Sequence, residues 1–519
     1  MSAAVLAAGG VFTLYLQTTV REGVFTQGDL AMKYLFTRQI AREGVALDIR
    51  LPAQPWEKDL WARGLHPFPF AVRSLHGREY LHYPVTFPMV SAPLYRAWGF
   101  RGLYVLPLAS TWAIWLAFVG LARRYGLREP WRAVLLLVLI FASPLTFYSA
   151  TFWEHTLAVA LGFPPVAFAL SPPSGVPLAR GGSFALGALL GAAGWFREEM
   201  LFLAGLTAVL LALPERLRPL GPLAVRRWPF IAGLTTTVAC FLAANSAIYG
   251  MPLGLHGTDF VQWLSQWNRA RDAAVFLTGS LGRHYPIGAA LLALLAVSWW
   301  SRGWAAVTRP AALLMLCLAF CVAVPVLAHH EGGRQFGPRF LLVVFPLSAL
   351  GGGVLLQDAL ARAGIRTQWA ALVALCVLVV FGVTANTVQG EHHLRVNYRR
   401  RRLSYDAVRD SEARVVAVSH EFVAQQLTDL VGPKTFFLTL HAAELKLLGL
   451  EMARHGDQRL LYLCYPQYPC GPFAALPTEL SLQADGRPCL RFHRRGQFDR
   501  YVVYDGVVLA TPRVAVPPP

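Results

Sequence analysis

The chain has 519 residues, of which 55% are hydrophobic and only 15% are charged, whereas soluble proteins average about 25% charged residues. Its mean hydropathy of +0.44 is too high for the apolar side chains to fit one soluble core. The net charge of +18 lies mainly in short connections between apolar blocks, with no nucleic-acid motif beside it. The composition therefore excludes a soluble protein and a nucleic-acid partner, and it predicts a polytopic membrane protein that contacts lipid.

Apolar blocks recur at the length that crosses a bilayer, about 20 residues at 1.5 Å per residue. The first, Ala3–Thr19, has no basic segment before it and is interpreted as a retained helix rather than a signal peptide. Ten more follow at about residues 103–122, 131–149, 152–170, 183–197, 199–213, 229–249, 285–300, 310–328, 339–357 and 368–386. The predicted fold class is mainly α, a transmembrane bundle of about eleven helices.

The connection at residues 20–83 is polar and contains Asp29 soon after the first apolar block. An amphipathic run from Leu30 to Ile40 follows, and then a stretch rich in Pro and aromatic residues. Such residues prefer the lipid headgroup region. We therefore predict an external loop at 20–83 with an interfacial helix.

Arginines indicate how the chain crosses the membrane. The connections after even-numbered helices hold thirteen basic residues against three acids, Glu129, Glu215 and Asp358. Short basic connections face the cytoplasm. The other connections are then external, and they hold Asp29, Glu154, Arg197–Glu199, His329–Glu331, Arg334 and Arg339. This predicts a bacterial plasma (inner) membrane protein whose concentrated acids, histidines and remaining arginines share the extracytoplasmic face.

Residues 391–519 are predicted to form a small extracytoplasmic α/β domain. Strand-like runs occur at Val415–Val418, Thr435–Leu440 and Leu460–Tyr465, with helical patterns at Glu421–Leu430 and Ala442–Arg454. A hairpin is expected at Tyr501–Leu509, turning at Asp505-Gly506. Of the three cysteines in this segment, Cys464 and Cys470 are the closer pair for a single disulfide. The basic run Arg399–Arg402 is unexpected on an external segment.

Asp29 is the first candidate catalytic residue. A carboxylate just past a membrane helix can act as a general base for a hydroxyl. The alternative is that Asp29 only caps the following helix. Glu154 in Trp153-Glu154-His155 is a second candidate, either a helix cap or an acid that orients substrate with His155.

Two further motifs supply charge on the same face. Phe196-Arg197-Glu198-Glu199 is either a local ion pair or a polar wall of a cavity. The segment at 329–340 contains His330, Arg334 and Arg339, and arginine forks suit phosphate. The alternative for these arginines is contact with lipid headgroups. Adjacent residues rarely share one metal, so no metal ligands are assigned.

The order of these motifs resembles the GT-C superfamily of glycosyltransferases that use polyprenyl-phosphate sugars, which includes protein O-mannosyltransferases and aminoarabinose transferases. The matching motifs are Gly28-Asp29, Trp153-Glu154-His155 and Pro338-Arg339-Phe340, and the stretch from Tyr83 to Pro93 resembles the segment before the family's second helix. The resemblance covers residues 1–390, the predicted catalytic domain. The family often has an acidic pair where this chain has Gly28-Asp29, which favours a metal-independent enzyme.

The resemblance implies transfer, with inversion, of a sugar from a polyprenyl-phosphate donor to a hydroxyl of a cell-envelope glycan, lipid or protein. Asp29 and Glu154 are the expected catalytic residues. The expected substrate-binding residues are Tyr83, His155, Arg197, Glu198, His330, Arg334 and Arg339. Asp29, Glu154 and Arg339 are expected to share one cavity. The alternatives are a flippase for lipid-linked glycans, which predicts charges at mid-helix and an internal repeat, and a non-enzymatic membrane scaffold.

Overall fold

The structure is a computed structural model that describes residues 1–172, 177–213, 223–262, 274–291, 308–327, 336–484 and 487–509. The chain forms two compact units. One, here called the bundle unit, consists of Met1–Thr19 and Gly102–His393. The other, the sheet unit, consists of Val20–Arg101 and Leu394–Pro519.

The helices are given first, in chain order. They are α1 (Ser2–Thr19), α2 (Gly28–Glu43), α3 (Pro55–Leu60), α4 (Thr86–Trp98), α5 (Val105–Arg124), α6 (Glu129–Phe141), α7 (His155–Ala169), α8 (Arg180–Ala193), α9 (Glu199–Ala212), α10 (Arg227–Tyr249), α11 (Gly254–Gln262), α12 (Arg309–Leu327), α13 (Val344–Arg362), α14 (Ile365–Val383), α15 (Gln389–Arg409), α16 (Glu421–Gln426) and α17 (Ala442–Arg454). Shorter helical turns include Pro144–Ala150, Phe276–Leu281, Gly282–His284 and Arg339–Leu341.

The strands are β1 (Val72–Leu75), β2 (Arg78–Leu81), β3 (Val415–Val418), β4 (Thr435–Leu438), β5 (Arg459–Cys464), β6 (Glu479–Ala484), β7 (Arg487–Phe498) and β8 (Tyr501–Val508). The chain is therefore mainly helical with a C-terminal sheet, as the sequence predicts.

Four helical segments in the described ranges are long and apolar enough to span a bilayer. They are Thr86–Arg124, Arg227–Tyr249, Val344–Arg362 and Ile365–Arg409. A fifth is counted if Glu129–Phe141 and Pro144–Ala150, which are bent by 52°, form one span. The predicted number of about eleven spans is not confirmed. One reason is that Pro144 interrupts the apolar block predicted at about 131–149, because proline cannot donate the backbone hydrogen bond that a helix needs.

Glycines allow α8 and α10 of the bundle unit to pack closely. A Cβ at Gly187 would lie 1.9 Å from the carbonyl oxygen of Phe230, and one at Gly233 would lie 2.0 Å from that of Phe184. Gly187 and Gly191 are four residues apart, the small-residue spacing that brings membrane helices into backbone contact. A larger side chain at Gly187 or Gly233 would force these two helices apart.

The sheet unit contains a six-stranded sheet in the order β4-β3-β5-β8-β7-β6. Strands β4, β3 and β5 are parallel, with Val415 opposite both Thr435 and Leu460. Strands β8, β7 and β6 continue the sheet in antiparallel pairing. The predicted positions of β3 and α17 agree with the structure residue for residue, and the predicted α/β character of the C-terminal segment is confirmed.

The predicted hairpin turn at Asp505-Gly506 is wrong. Both residues lie inside β8, and Gly506 pairs with Leu460 on one side and Phe492 on the other. A Cβ at Gly506 would lie 2.8 Å from atoms of both neighbours, so glycine is required here by close packing. The actual turn, between β7 and β8, contains Asp499, whose φ is +55°.

Helix α2 is a core helix of the sheet unit. Every residue from Leu30 to Ile40 is buried, and α2 packs against α4 and α16. An interfacial helix needs one face in lipid, so the prediction of an interfacial helix here is wrong. One member of the basic run on α15, the buried Arg401, pairs with Asp499 of the same unit at 2.5 Å.

Candidate functional site

Three polar motifs that are far apart in the sequence meet in the bundle unit. Glu154 immediately precedes α7, Arg197 lies in the connection from α8 to α9, and Arg339 begins the helical turn before α13. Arg197 contacts both other motifs: it donates to Glu154, and its guanidinium lies 5.0 Å from the centroid of the Phe340 ring. The structure thus brings Glu154, Arg197 and Arg339-Phe340 into one cluster, here called the polar cluster.

Arg197 is the centre of the polar cluster. Its Nη1 donates to Oε1 of Glu154 at 3.1 Å, and its Nε donates to Oε1 of Glu199 at 2.9 Å. All three side chains are less than 10% exposed. Burying one cation between two carboxylates gives every charged group a neighbour of opposite charge, whereas an isolated buried charge would be very costly. Glu154 is therefore held by Arg197, and it makes no capping hydrogen bond to α7.

Aromatic rings surround the second arginine of the cluster. The guanidinium of Arg339 lies 5.1 Å from the ring centroid of Trp153 and 4.9 Å from that of Phe340. His155, buried beside Trp153, lies 3.9 Å from Glu199. Aromatic rings against its faces hold the planar guanidinium in one orientation while its edge donors can still bind an anion.

The backbone before Arg339 is set by two contacts. Gly337 has a φ of +73°, and a Cβ there would lie 3.0 Å from Pro144. The hydroxyl of Tyr148 donates to the carbonyl oxygen of Phe336 at 2.7 Å. A left-handed conformation at a crowded position favours glycine, so Gly337 fixes the direction from which Arg339 enters the cluster. Glu198 lies beside the cluster and pairs with His256 of α11 at 3.2 Å.

Asp29 lies in the sheet unit, in the first turn of α2. Gln27 is the residue that precedes the helix, so Asp29 is not its N-cap, and the predicted capping alternative does not describe this helix. Lys33 follows one turn later and therefore on the same face. Its Nζ lies 5.2 Å from the ring centroid of Tyr83. Asp29 and Lys33 thus share one helix face, and the buried Lys33 contacts Tyr83 within the same unit.

The residue before Asp29 is pressed against the C-terminal part of the chain. A Cβ at Gly28 would lie 1.9 Å from Oε1 of Gln425 on α16. The amide of Gln425 is held in turn, because its Nε2 donates to Oε1 of Glu421 at 2.9 Å. The other oxygen of Glu421 accepts from the backbone N–H of Phe70 at 2.9 Å. Gly28 is therefore required by contact, and α16 fixes where α2 begins.

Burial raises the pKa of Glu421 from its usual 4.5 to about 7, although the hydrogen bonds from Phe70 and Gln425 oppose the shift. A second anchor of α2 lies further along the helix. The hydroxyls of Tyr34 and Tyr405 donate to the two oxygens of Asp429 at 2.5 and 2.6 Å. Burial, together with the nearby Asp429 carboxylate, raises the pKa of Tyr34. These contacts fasten α2 to α15 and to the segment after α16.

The predicted site residues divide as follows. Glu154, His155, Arg197 and Arg339 come together in the bundle unit, with Glu198 adjoining them, and Asp29 and Tyr83 lie in the sheet unit. His330 and Arg334 lie outside the described residues. That Asp29, Glu154 and Arg339 share one cavity remains a prediction. Within the described ranges, no group of three or more His, Cys, Asp or Glu residues could hold a metal ion.

The sequence interpretation missed Lys33 and Gln425. A signal existed for Lys33, because Asp29 and Lys33 have the i, i+4 spacing of residues on one helix face. No local signal marks Gln425, which is nearly 400 residues from Gly28 and is brought to it only by the packing of α16 on α2.

The chain thus combines a mainly helical bundle unit with a sheet unit that contains a mixed six-stranded sheet. No family model and no curated protein matches the sequence, but solved structures do. ArnT from Cupriavidus metallidurans bound to undecaprenyl phosphate, a GT-C superfamily member, matches with a TM-score of 0.57 and 16% identity, over 99% of this chain and 100% of that chain. Its apo state matches with a TM-score of 0.57 and 15% identity, over 98% and 99%.

AglB, the archaeal oligosaccharyltransferase from Archaeoglobus fulgidus, matches in complex with an inhibitory peptide and a dolichol-phosphate. The TM-score is 0.46 at 10% identity, over 89% of this chain and 69% of that chain. The likeness to ArnT confirms the predicted GT-C fold, and at 16% identity it shows the fold alone.

Proposed function

We propose that this protein is an integral membrane glycosyltransferase that transfers a sugar from a polyprenyl-phosphate carrier to a hydroxyl acceptor. The observation that carries the proposal is the convergence of Glu154, Arg197 and Arg339-Phe340 into one polar cluster, in which Glu154 and Arg197 are buried. Charged side chains in a membrane bundle are costly and are usually retained for function. The likeness to ArnT, solved with undecaprenyl phosphate, supports the same class of donor.

In the proposed reaction, the acceptor oxygen attacks the anomeric carbon of the donor sugar. The bond from that carbon to the phosphate oxygen breaks, its electron pair stays on the phosphate, and the configuration inverts. Asp29 takes the proton that the acceptor hydroxyl loses. General base catalysis of this kind contributes about 10²- to 10⁴-fold to a rate.

Arg339 is the proposed ligand of the leaving phosphate. A guanidinium that is oriented by two aromatic rings can donate a fork of hydrogen bonds to phosphate oxygens as negative charge develops there. Arg197 has a different proposed role, because both of its carboxylate partners already engage it. It holds Glu154 in one orientation for the substrate.

The proposed location is a bacterial plasma membrane, with the sheet unit on the extracytoplasmic side. A disulfide between Cys464 and Cys470 supports this, because disulfides persist in oxidising compartments. It is also the cysteine pair that the sequence analysis preferred.

The test is Asp29→Asn. Cells that lack this protein would be complemented with the wild type, Asp29→Asn or Glu43→Gln, and their envelope glycans would be analysed by mass spectrometry. The wild type should restore a sugar modification, and Asp29→Asn should reduce it by at least about 100-fold because no base accepts the proton. Glu43, exposed at the other end of α2, is the matched control and should restore it fully.

Membrane levels of the three proteins, measured by immunoblot, separate loss of catalysis from loss of folding. Restoration of the modification by Asp29→Asn would remove Asp29 as the base. An unchanged glycan profile in cells without the protein would refute the glycosyltransferase itself.

A further inference from the structure

The carboxyl ends of the parallel strands in the sheet unit form a surface that the proposed chemistry does not use. After β3 the chain forms α16 and then β4, and β4 pairs with one side of β3 in the sheet. Strand β5 is on the other side of β3, and the chain leaves it toward the antiparallel strands. The strand order therefore reverses between β3 and β5. In open α/β sheets, ligands bind at such a point, in the crevice outside the carboxyl ends of the strands.

Aromatic rings gather at this point. His420 follows β3 after Ser419, and its ring centroid lies 4.0 Å from that of Tyr468 and 4.5 Å from that of Phe422. Tyr465, which follows β5, lies 5.2 Å from Tyr468. Phe422 and Tyr468 are 41% and 39% exposed, although large aromatic side chains normally lose more surface than this. We call His420, Phe422, Tyr465 and Tyr468 the aromatic platform.

The loop that carries Tyr468 is held in place from several sides. The disulfide Cys464–Cys470 closes it at both ends, and Pro466 and Pro469 lie within it. The hydroxyl of Tyr462 donates to the carbonyl oxygen of Cys470 at 3.1 Å. A surface that is fixed before a ligand arrives loses little entropy on binding. A loop tip that served only as a connection would not need this restraint.

The chemistry of the platform selects the class of ligand. Loop residues 466–469 are Pro, Gln, Tyr and Pro, all exposed and none charged. Burial lowers the pKa of His420, so this ring is neutral at pH 7. In a chain of net charge +18, an uncharged aromatic surface does not suit an anionic ligand. It suits a ring with an apolar C–H face and hydroxyls at its edge, for which Gln467 and the tyrosine hydroxyls are hydrogen-bonding partners.

We propose that the aromatic platform binds a neutral pyranose ring of the acceptor glycan, stacked on Tyr468 and Phe422. This inference rests on the proposed function, because a glycosyltransferase needs a place to hold the glycan that supplies the hydroxyl. It adds a substrate class, a carbohydrate acceptor, to that function. The platform lies at the start of α16, the helix whose Gln425 contacts Gly28 beside Asp29. Acceptor binding and the start of α2 therefore depend on the same helix.

The test measures sugar binding by the full chain in lipid nanodiscs, with saturation-transfer NMR. The probes are the methyl pyranosides of glucose, galactose and mannose, with cyclohexanol as an apolar ring of similar size. At least one pyranoside should bind the wild type in preference to cyclohexanol. Tyr468→Leu should weaken this binding about 3- to 10-fold, the usual effect of losing one aromatic contact, whereas Tyr468→Phe should retain most of it.

Val507→Ala is the matched control, since Val507 is 47% exposed at the opposite end of β5. It should leave binding unchanged. Three results would overturn the proposal: no pyranoside binds the wild type, Tyr468→Leu binds as well as the wild type, or cyclohexanol binds as well as the sugars. The measurement does not depend on transfer. An inactive Asp29→Asn protein that still binds pyranosides supports both proposals, whereas an active one refutes only the base.

Discussion

The contact between Gly28 and Gln425 predicts a specific coupling between the two ends of the sequence. In Gly28→Ala, the new methyl carbon would lie 1.9 Å from Oε1 of Gln425 and 3.0 Å from its Cβ. Gln425 is only 2% exposed and cannot swing into solvent without leaving Glu421. The substitution therefore breaks the 2.9 Å hydrogen bond to Glu421 or displaces the first turn of α2.

The expected cost is that of whichever of these two effects occurs. Overpacking a filled site costs about 1–3 kcal/mol, and leaving a buried polar group without its partner costs about 1–3 kcal/mol. Alanine offsets up to about 1 kcal/mol through its better helix propensity. A net loss of about 2 kcal/mol is expected for Gly28→Ala. The double variant Gly28→Ala/Gln425→Ala removes the overlap, so it should be no less stable than Gln425→Ala alone.

The assay is amide hydrogen exchange of the full chain, followed by mass spectrometry of peptides from α2 and α16. A loss of about 2 kcal/mol corresponds to roughly 30-fold faster exchange in both helices. Gly10→Ala is the control, because a Cβ at this helical glycine of α1 has no neighbour within 4 Å. It should leave exchange unchanged. Strictly additive effects in the double variant would refute the contact.

Two other predictions follow from buried charges. Arg197→Met removes the cation between two buried carboxylates and should destabilise the bundle unit by about 3–5 kcal/mol. This loss should lower the melting temperature in detergent, and Arg197→Lys should lower it less. An unchanged melting temperature would contradict the role of the polar cluster. Burial raises the pKa of Glu421 from 4.5 to about 7, so the folded state holds this proton more tightly than the unfolded chain. This proton contributes up to about 3 kcal/mol to the free energy of unfolding. The contribution is fully present below about pH 4.5 and is lost as pH rises through 7. In Glu421→Gln, hydrogen exchange of α16, corrected for the intrinsic effect of pH, should lose this dependence; a dependence equal to that of the wild type would assign it to another group.

Local sequence patterns were sufficient to predict much of the structure of this protein. The apolar composition predicted a helical membrane bundle, and the alternation of strand and helix patterns predicted the C-terminal sheet. The β-branched run at Val415–Val418 and the apolar periodicity of Ala442–Arg454 gave both elements with their observed bounds. Short sequence separation was enough to favour the Cys464–Cys470 disulfide. These features depend on residues that are close along the chain, where periodicity and propensity act directly.

Predictions from local sequence patterns were wrong where contacts with residues distant in the sequence determined the structure. Asp505-Gly506 has the composition of a hairpin turn, yet β5 and β7 pair with it on both sides and keep it extended. The run from Leu30 to Ile40 has the polar residues of an interfacial helix, yet they are buried, and Arg38 donates to backbone carbonyl oxygens of Asp429 and Val431. In both cases tertiary contacts satisfied groups that the sequence alone would leave to water or lipid.

The candidate site shows the same division. The residue types and their order in the sequence indicated the candidate side chains, because charged residues in a membrane bundle are costly and mark functional sites. The pairing of Arg197 with Glu154 and Glu199 and the contact of Arg339 with the Trp153 ring arise from tertiary packing. Only the tertiary structure placed Gln425 against Gly28. Such pairings arise from the packing of helices whose sequence separation carries no information about their distance in space.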